Sequence, residues 1–121
     1  MPISKNLMFE RGKIILVPFP FTDLSAQKIR PAIILSKSNQ SSRDVVVIFI
    51  SSVVTNPAQP HQYLITTEHK AFKQTGLKVS SLAVCNKLAT LDKSIVLGEI
   101  GSVPVGIMKE LSRRVIAALG L

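Results

Sequence analysis

The sequence predicts a mainly β (α+β) fold: a small, strongly bent barrel of five to seven strands with a C-terminal α-helix. Short β-branched runs separated by polar segments dominate the 121 residues, and only the last part changes to a helical period. So many short strands in one small domain cannot form an open sheet with both faces in water, so they are expected to curl around a core. The length indicates one domain over residues 1–121, with an N-terminal extension over 1–10.

Three strands are predicted in the first half of the chain. The run 13–21 is the first, and because Pro18 and Pro20 cannot donate to a ladder, it is expected to end early or to lie at an edge. The run 31–36 is apolar throughout, which is typical of a strand covered on both faces. The run 44–51 is β-branched nearly throughout and is expected to pass through the centre of the barrel.

The second half completes the β set and then becomes helical. Predicted strands cover 61–67, 80–91 and 94–100, and a basic connection over 68–78 separates the first two. A helix is predicted over 104–119, where apolar residues recur at spacings of three and four. Proline suits its first turn and glycine its C-terminal end. We interpret its apolar stripe as core or dimer packing: Ile107, Met108, Leu111, Val115, Ala118 and Leu119.

Charge narrows the partners that this chain could have. The formal net charge is +8, with an excess of five positive charges in residues 1–43, another five in 69–121, and a small negative balance between them. If both basic blocks border one cleft, their field would attract a polyanion such as nucleic acid. The alternative is a soluble surface that happens to be rich in lysine. Aromatic residues make up only 5%, so a stacking platform for bases would be sparse.

The cysteine count and the N-terminus indicate a cytoplasmic protein. Cys85 is the one cysteine, which excludes an internal disulfide and a cysteine-cage zinc site, and we interpret it as a small buried hydrophobe. The first residues carry charges where a signal peptide would be apolar, and no apolar run approaches the roughly 20 residues of a membrane helix. No metal, cofactor or membrane partner is expected.

The most specific signal is an arginine before a proline at the start of the second strand, in "QKIRPAIILSKS". Pro31 fixes its own φ and biases Arg30 toward an extended backbone, which would hold the guanidinium ready for an anion. With Arg11-Gly12 opening the first strand, the segments "RGKIILVPFPFTDLSAQKIRPAIILS", "DVVVIFISS" and "SSLAVCNKLATLDKSI" follow in order. From residue 11 to about 119, the chain resembles the MazF/PemK family of toxins from bacterial toxin–antitoxin pairs.

The resemblance implies an SH3-like barrel with a C-terminal helix, assembled as a homodimer. It implies a metal-independent endoribonuclease that cuts single-stranded RNA, usually mRNA, at short sequence motifs and so inhibits translation and growth. The implied protein partner is an antitoxin whose C-terminal segment occupies the RNA groove.

Two catalytic positions of the family have counterparts here. The family arginine matches Arg30, whose planar, permanently charged fork suits the oxygens of a phosphate attacked by the neighbouring 2′-hydroxyl. The family threonine at the end of the third strand matches Ser51, with Ser52 next to it as a further candidate. Consecutive strand residues point to opposite faces, so both hydroxyls need not face one groove.

Five further residues are candidates for RNA contacts. Two lie in the first loop, which in relatives covers the RNA groove; two edge the next loop; and an amide on the fifth strand can hydrogen-bond a base or a phosphate. For the lysines, an ordinary solvated side chain is an equally good interpretation. The five are Gln27, Lys28, Lys37, Arg43 and Asn86.

The proton acceptor is the least defined part of the predicted site. Some relatives carry an arginine and an aspartate where this chain has Val84 and Asn86, and others carry an acidic residue near the position of Ser25, where Asp23 is the nearest carboxylate. His61 has a suitable intrinsic pKa, but the family pattern does not fix a histidine there. Two alternatives therefore stay open: a catalytically weak member that binds RNA or antitoxin without cleaving, and a gyrase-targeting toxin on the same barrel. The chain ends in "AALGL" without the aromatic residue that gyrase toxins use, which disfavours the latter.

Overall fold

Six antiparallel strands form one curled sheet in the computed structural model, which describes residues 8–18, 28–54 and 57–121. The elements are β1 (Lys13–Pro18), β2 (Ile29–Ile34), β3 (Asp44–Ser51), β4 (Gln62–Ile65), α1 (Phe72–Thr75), β5 (Ser81–Asp92), β6 (Gly98–Ser102) and α2 (Val105–Leu119). The strand order is β4-β5-β3-β2-β1-β6, so β4 and β6 are the two edges of a half-barrel. The predicted mainly β class, the strand number and the C-terminal helix are confirmed.

The central strands are buried on both faces, as the apolar run 31–36 predicts. In register, Ile14, Ile33 and Ile48 lie side by side in the core beneath α2. Their neighbours Ile15, Ala32 and Phe49 form the core of the opposite face. β3 has the predicted bounds and is central, because a β-branched run without polar alternation is stable only where both of its faces are covered.

The structure decides the open alternative for the first strand and corrects two other details of the predicted elements. β1 does end at Pro18, but it is not an edge strand, because its earlier residues pair with β2 on one side and β6 on the other. The last predicted strand starts only at Gly98, since the Asp92 side chain caps a short 3-10 turn by accepting the Ser94 N–H at 2.8 Å. The basic connection over 68–78 contains α1, which was not predicted.

α1 and β6 approach each other so closely that only glycine fits at the contact. A Cβ on Gly101 would overlap the backbone of Thr75, and a Cβ on Gly76 would overlap the carbonyl of Ile100. Gly76 also has a φ of +73°, which side chains disfavour. This reciprocal contact fixes the loop that follows α1.

α2 lies across the sheet and is fastened to β4 by one arginine. The helix follows Pro104 and ends at Gly120, whose left-handed backbone closes the last turn, as predicted. Of the predicted stripe, the first four members are buried, whereas Ala118 and Leu119 are exposed. Arg114 donates to the carbonyl oxygens of Pro60 and Gln62 at 3.1 and 2.7 Å. It therefore bridges the helix and the edge of the sheet.

Glu110 holds Arg114 in place, and substitution of Glu110 tests how much this link between α2 and β4 contributes to stability. Its carboxylate accepts from Arg113 and Arg114, both at 2.6 Å, and these hydrogen bonds lower the pKa of Glu110 from 4.5 to about 2. A depressed folded-state pKa means that the stabilisation is present above the unfolded value near 4.5 and is lost as the pH falls toward 2.

We therefore expect Glu110→Gln to lower the free energy of unfolding at pH 7 by a small amount, since the carboxylate is partly exposed and water screens the pair. The difference from the wild type should shrink as the pH falls below 4.5. Urea denaturation at pH 7 and at a series of acidic pH values measures this. A difference that does not change with pH would contradict the expected role of this ion pair.

Candidate active site

A cleft of about 320 Å³, which we call the first cleft, opens beside the C-terminal end of β3. Cavities of roughly 300–1,000 Å³ are the usual size of small-ligand sites. Its walls come from β2, β3, β4 and β5, so residues far apart in sequence meet here. They are Arg30, Phe49, Ile50, Ser51, Val53, Gln62, Leu82, Val84 and Lys87.

Arg30 reaches the cleft from β2 and is half-buried. Its backbone lies opposite Val17, and Pro31 lies opposite Leu16, so the neighbouring strand β1 fixes both residues. The Arg-Pro pair thus lies inside the sheet, where the chain direction is determined by pairing as well as by the proline ring. The guanidinium is therefore presented from a rigid strand, which reduces the entropy lost when it binds an anion.

Ser51 is the last residue of β3 and lines the same cleft as Arg30. Its Oγ accepts the backbone N–H of Val53 at 3.1 Å. Because that bond uses a lone pair of the oxygen, the hydroxyl proton remains for donation to another acceptor. The structure therefore brings Arg30 and Ser51 together and leaves Ser51 with donor capacity.

Ser52 follows the last residue of β3 and lines a different cleft from Ser51. This second cleft has a volume of about 340 Å³, and Arg30 lines it as well as the first. The two consecutive serines thus belong to different clefts that share Arg30.

An irregularity in β5 adds a cation that the sequence did not single out. Two steps along β3, from Ile48 to Ile50, correspond to five steps along β5, from Leu88 to Ala83. β5 therefore bulges between these pairs, and bulges redirect side chains near functional sites. Lys87 lies on this bulge and enters the lining of the first cleft. The polar pair Asn86-Lys87 interrupts an apolar run and was the available signal, and of this pair only Asn86 was predicted as an RNA contact.

The first cleft has a positive electrostatic character. Within the described residues, its lining contains two cations, Arg30 and Lys87, and neither a carboxylate nor an imidazole. His61 lies in a separate depression beside α2, and His69 accepts the Ala71 N–H at 3.0 Å within a turn. Val84 forms part of the apolar wall. These groups suit binding of a phosphodiester and leave proton removal to a group outside this lining.

The remaining candidates for RNA contacts lie away from this lining. Lys37 and Arg43 are exposed and lie next to the N-terminal end of β3, roughly 20 Å from Ser51 by the rise of a strand. Arg43 pairs there with Asp92 at 3.5 Å. The structure does not bring these two cations into the cleft.

Three other positions from the sequence analysis are placed as follows. Lys28 is exposed one residue before β2, and Asn86 is exposed on the bulge of β5. Gln27 lies outside the described residues, as do Ser25 and Asp23 of the same loop. Lys28, Asn86 and Gln27 therefore stay predictions as RNA contacts.

Cys85 is not part of the site. It is fully buried, and burial raises the pKa of its thiol to about 11, so it stays protonated, as expected for a small core hydrophobe. Within the described ranges, no three side chains of His, Cys, Asp or Glu gather where a metal ion could be held. The described helices include none that is long and apolar enough to cross a membrane.

Comparisons with known proteins agree on one family. The model for the PemK-like, MazF-like toxin of type II toxin–antitoxin system matches residues 10–119. An endoribonuclease in complex with its cognate antitoxin from Mycobacterial species has the same fold, with a TM-score of 0.69 and 19% identity over 93% of this chain and 95% of that chain. The toxin MazF-mt6 of Mycobacterium tuberculosis has a TM-score of 0.69 and 18% identity, over 90% of this chain and 97% of that chain. MazF from Deinococcus radiodurans has a TM-score of 0.71 and 18% identity, over 93% of this chain and 96% of that chain. No curated protein sequence matches the chain.

Proposed function

Because the chain belongs to the PemK-like, MazF-like toxins of type II toxin–antitoxin systems, we propose that it is a metal-independent endoribonuclease that cleaves single-stranded RNA and so inhibits translation and growth. The observation that carries this proposal is the meeting of Arg30, Ser51 and Lys87 in one cleft. Phosphodiester groups bind where cations and hydroxyl donors converge.

In the proposed reaction, the 2′-oxygen of one nucleotide attacks the adjacent phosphorus and the bond to the 5′-oxygen breaks. The products are a 2′,3′-cyclic phosphate and a 5′-hydroxyl. Arg30 offers parallel N–H donors to the phosphate oxygens as negative charge builds on them. Ser51 donates a hydrogen bond to one of these oxygens and keeps its proton, since its own oxygen already accepts from the Val53 N–H.

Lys87 has a different role from Arg30 in this proposal. It lines the opposite wall, on β5, and adds a compact positive charge to the space where the phosphate binds. The proton of the attacking 2′-hydroxyl passes to solvent and the departing 5′-oxygen takes one up, so the proton count balances without a side-chain base in the described lining.

Incubation of the purified protein with a long single-stranded RNA in EDTA tests the function. We expect discrete fragments with 5′-hydroxyl ends that disappear when Arg30 is replaced by alanine. RNA that is bound but not cut would favour the catalytically weak alternative and would contradict the proposed enzyme.

Ser51→Ala is expected to slow RNA cleavage about tenfold, which corresponds to the loss of one hydrogen bond to a charged group. Ser51→Thr should retain most of the rate because it keeps the hydroxyl. Ser112→Ala, which removes a hydroxyl on α2 outside the first cleft, is the matched control. An unchanged rate for Ser51→Ala together with a slow Ser52→Ala would transfer the role to Ser52.

The proposal extends to partners and location. A structure with this fold contains an endoribonuclease bound to its cognate antitoxin, and we propose that an antitoxin segment covers the RNA cleft here too. Val105, Ile116 and Leu119 are exposed apolar side chains on α2, which supports a homodimer through this helix. Since its proposed substrate is mRNA, the protein would act in the cytoplasm. Light scattering of the purified chain measures the dimer directly.

A further inference from the structure

β4 forms one wall of the first cleft, although it is the last strand at its side of the sheet. In the described sheet it pairs only with β5, and its first residue, Gln62, lies opposite Val84. Both of these residues line the first cleft. A short strand with a partner on one side only is held by few hydrogen bonds, and its ends fray easily. The position of this wall therefore depends on what else fastens the start of β4.

The carbonyl groups at the start of β4 are divided between β5 and α2. The His61 carbonyl accepts the Cys85 N–H of β5 at 2.8 Å. The carbonyls on either side of it, those of Pro60 and Gln62, both accept from one nitrogen of Arg114, at 3.1 and 2.7 Å. β5 thus holds the middle carbonyl of this turn, and Arg114 holds the two beside it.

The turn that Arg114 fastens also orients the side chain of Gln62. The Oε1 of Gln62 accepts the Gln59 N–H at 2.8 Å, and the Gln62 N–H donates to the Gln59 carbonyl at 2.9 Å. The guanidinium of Arg114 lies 5.4 Å from the ring centroid of Tyr63, the next residue of β4, which is within the range of a cation–π attraction. Displacement of this turn would therefore move both the backbone and the amide of Gln62.

Arg114 is itself held by a rigid part of the molecule. It lies on α2, which is anchored in the core by the buried side chains of Leu111 and Val115. Its Nε donates to Glu110, one turn earlier, at 2.6 Å. In the part of the chain that the structure describes, Arg114 lines a separate depression and not the first cleft. An effect of Arg114 on the first cleft must therefore pass through β4.

We propose that Arg114 is a positioning residue of the ribonuclease: it holds Gln62 in the wall of the first cleft, where Gln62 contributes to binding of the RNA strand. The inference rests on the function proposed above. Arg30 and Ser51 lie on β2 and β3, which pair with each other, whereas β4 pairs with β5. The groups that act on the cleaved phosphate therefore keep their places when β4 moves. Loss of Arg114 should weaken RNA binding and leave the chemical step nearly unchanged.

Comparison of Arg114→Leu with Arg113→Leu tests this inference. Each variant loses one positive charge and one ion pair with Glu110, and of the two arginines Arg114 is the one that is hydrogen-bonded to Gln62 of β4. On a fluorescent RNA with one cleavage site, Arg114→Leu should have a KM about fivefold above that of Arg113→Leu, the effect of one lost hydrogen bond. The kcat values of the two variants should agree within about twofold.

A binding measurement separates positioning from a loss of stability. An oligonucleotide with a 2′-deoxy nucleotide at the cut cannot react, so its dissociation constant reports binding alone, and it should rise about fivefold in Arg114→Leu relative to Arg113→Leu. Partial unfolding would instead lower the apparent kcat and leave the KM of the folded molecules unchanged. Arg114→Lys keeps donors without the planar fork, so its KM should be intermediate. It supplies the test if urea denaturation shows that Arg114→Leu does not fold.

A double-mutant cycle tests whether Arg114 acts through Gln62. Gln62→Ala should itself raise the KM about fivefold. Adding Arg114→Leu to Gln62→Ala should change the KM by no more than about twofold, because the side chain that Arg114 positions is already absent. Effects of the two substitutions that multiply would overturn the inference.

The failures are distinguishable. RNA cleavage in which Arg114→Leu has the KM of Arg113→Leu, or loses kcat alone, overturns the positioning role and leaves the ribonuclease standing. A wild type that does not cut, but binds the oligonucleotide in a way that Arg114→Leu weakens and Arg113→Leu does not, supports the positioning role while the enzyme assignment fails. A wild type that neither cuts RNA nor binds the oligonucleotide overturns both.

Discussion

Arg30→Ala is expected to reduce RNA cleavage about a thousandfold, the effect typical of removing a donor that stabilises charge in the transition state. Arg30 lines the first cleft together with Ser51 and Lys87, so its loss removes the guanidinium on which the proposed phosphate binding depends. The change should leave the fold largely intact, because the core of β2 consists of its aliphatic residues Ala32, Ile33 and Ile34.

The measurement is the initial rate of cleavage of a fluorescent RNA, accompanied by urea denaturation of the same preparation. Arg30→Lys keeps the charge but not the planar fork and should give an intermediate rate. Arg113→Ala, which removes an exposed arginine on α2, is the matched control. A rate for Arg30→Ala within about tenfold of the wild type, or extensive unfolding of that variant, would contradict the catalytic role and indicate a structural one.

Gly101→Ala should give the largest loss of stability, about 3 kcal/mol, because overpacking at a rigid contact forces the backbone apart. A Cβ there would overlap the backbone of Thr75 and Gln74, which has no rotamer through which it could move away. Since Gly101 also pairs with Ile14 in the sheet, displacement of β6 would disturb the ladder with β1.

Gly106→Ala is the control for this substitution. Gly106 lies on α2 with nothing near its added Cβ, so alanine there should stabilise the protein by about 0.5–1 kcal/mol through helix propensity. Urea denaturation at constant pH compares the two variants. Equal stability of Gly101→Ala and the wild type would mean that the contact between α1 and β6 can relax.

The elements that could be predicted from the sequence are those whose type and limits depend on residues within or next to the element itself. β3 follows from an unbroken β-branched run, and the limits of α2 follow from Pro104 and Gly120. The interior position of β1 was not predictable, because it depends on β6, which arrives from about 80 residues further along the chain. α1 is four residues long, too short for an apolar period to reveal.

In the candidate site, too, some residues could be predicted from the sequence and others could not. Arg30 and Ser51 were predicted because both match positions of the family, and Ser51 also lies at the end of a predicted strand. The structure places the two residues in one cleft. Lys87 was missed because it enters the first cleft through a bulge in β5. The bulge is a mismatch between two paired strands, and it is visible only when their pairing is known.

The end of β3 has a consequence for how this toxin can evolve. Ser51 and Ser52 line different clefts, and the number of residues in β3 decides which serine reaches which cleft. Inserting or deleting a single residue upstream in β3 would change the face of every side chain that follows, whereas an apolar substitution would not. Natural variation in this strand should therefore preserve its length, and its substitutions should stay apolar because both faces are buried.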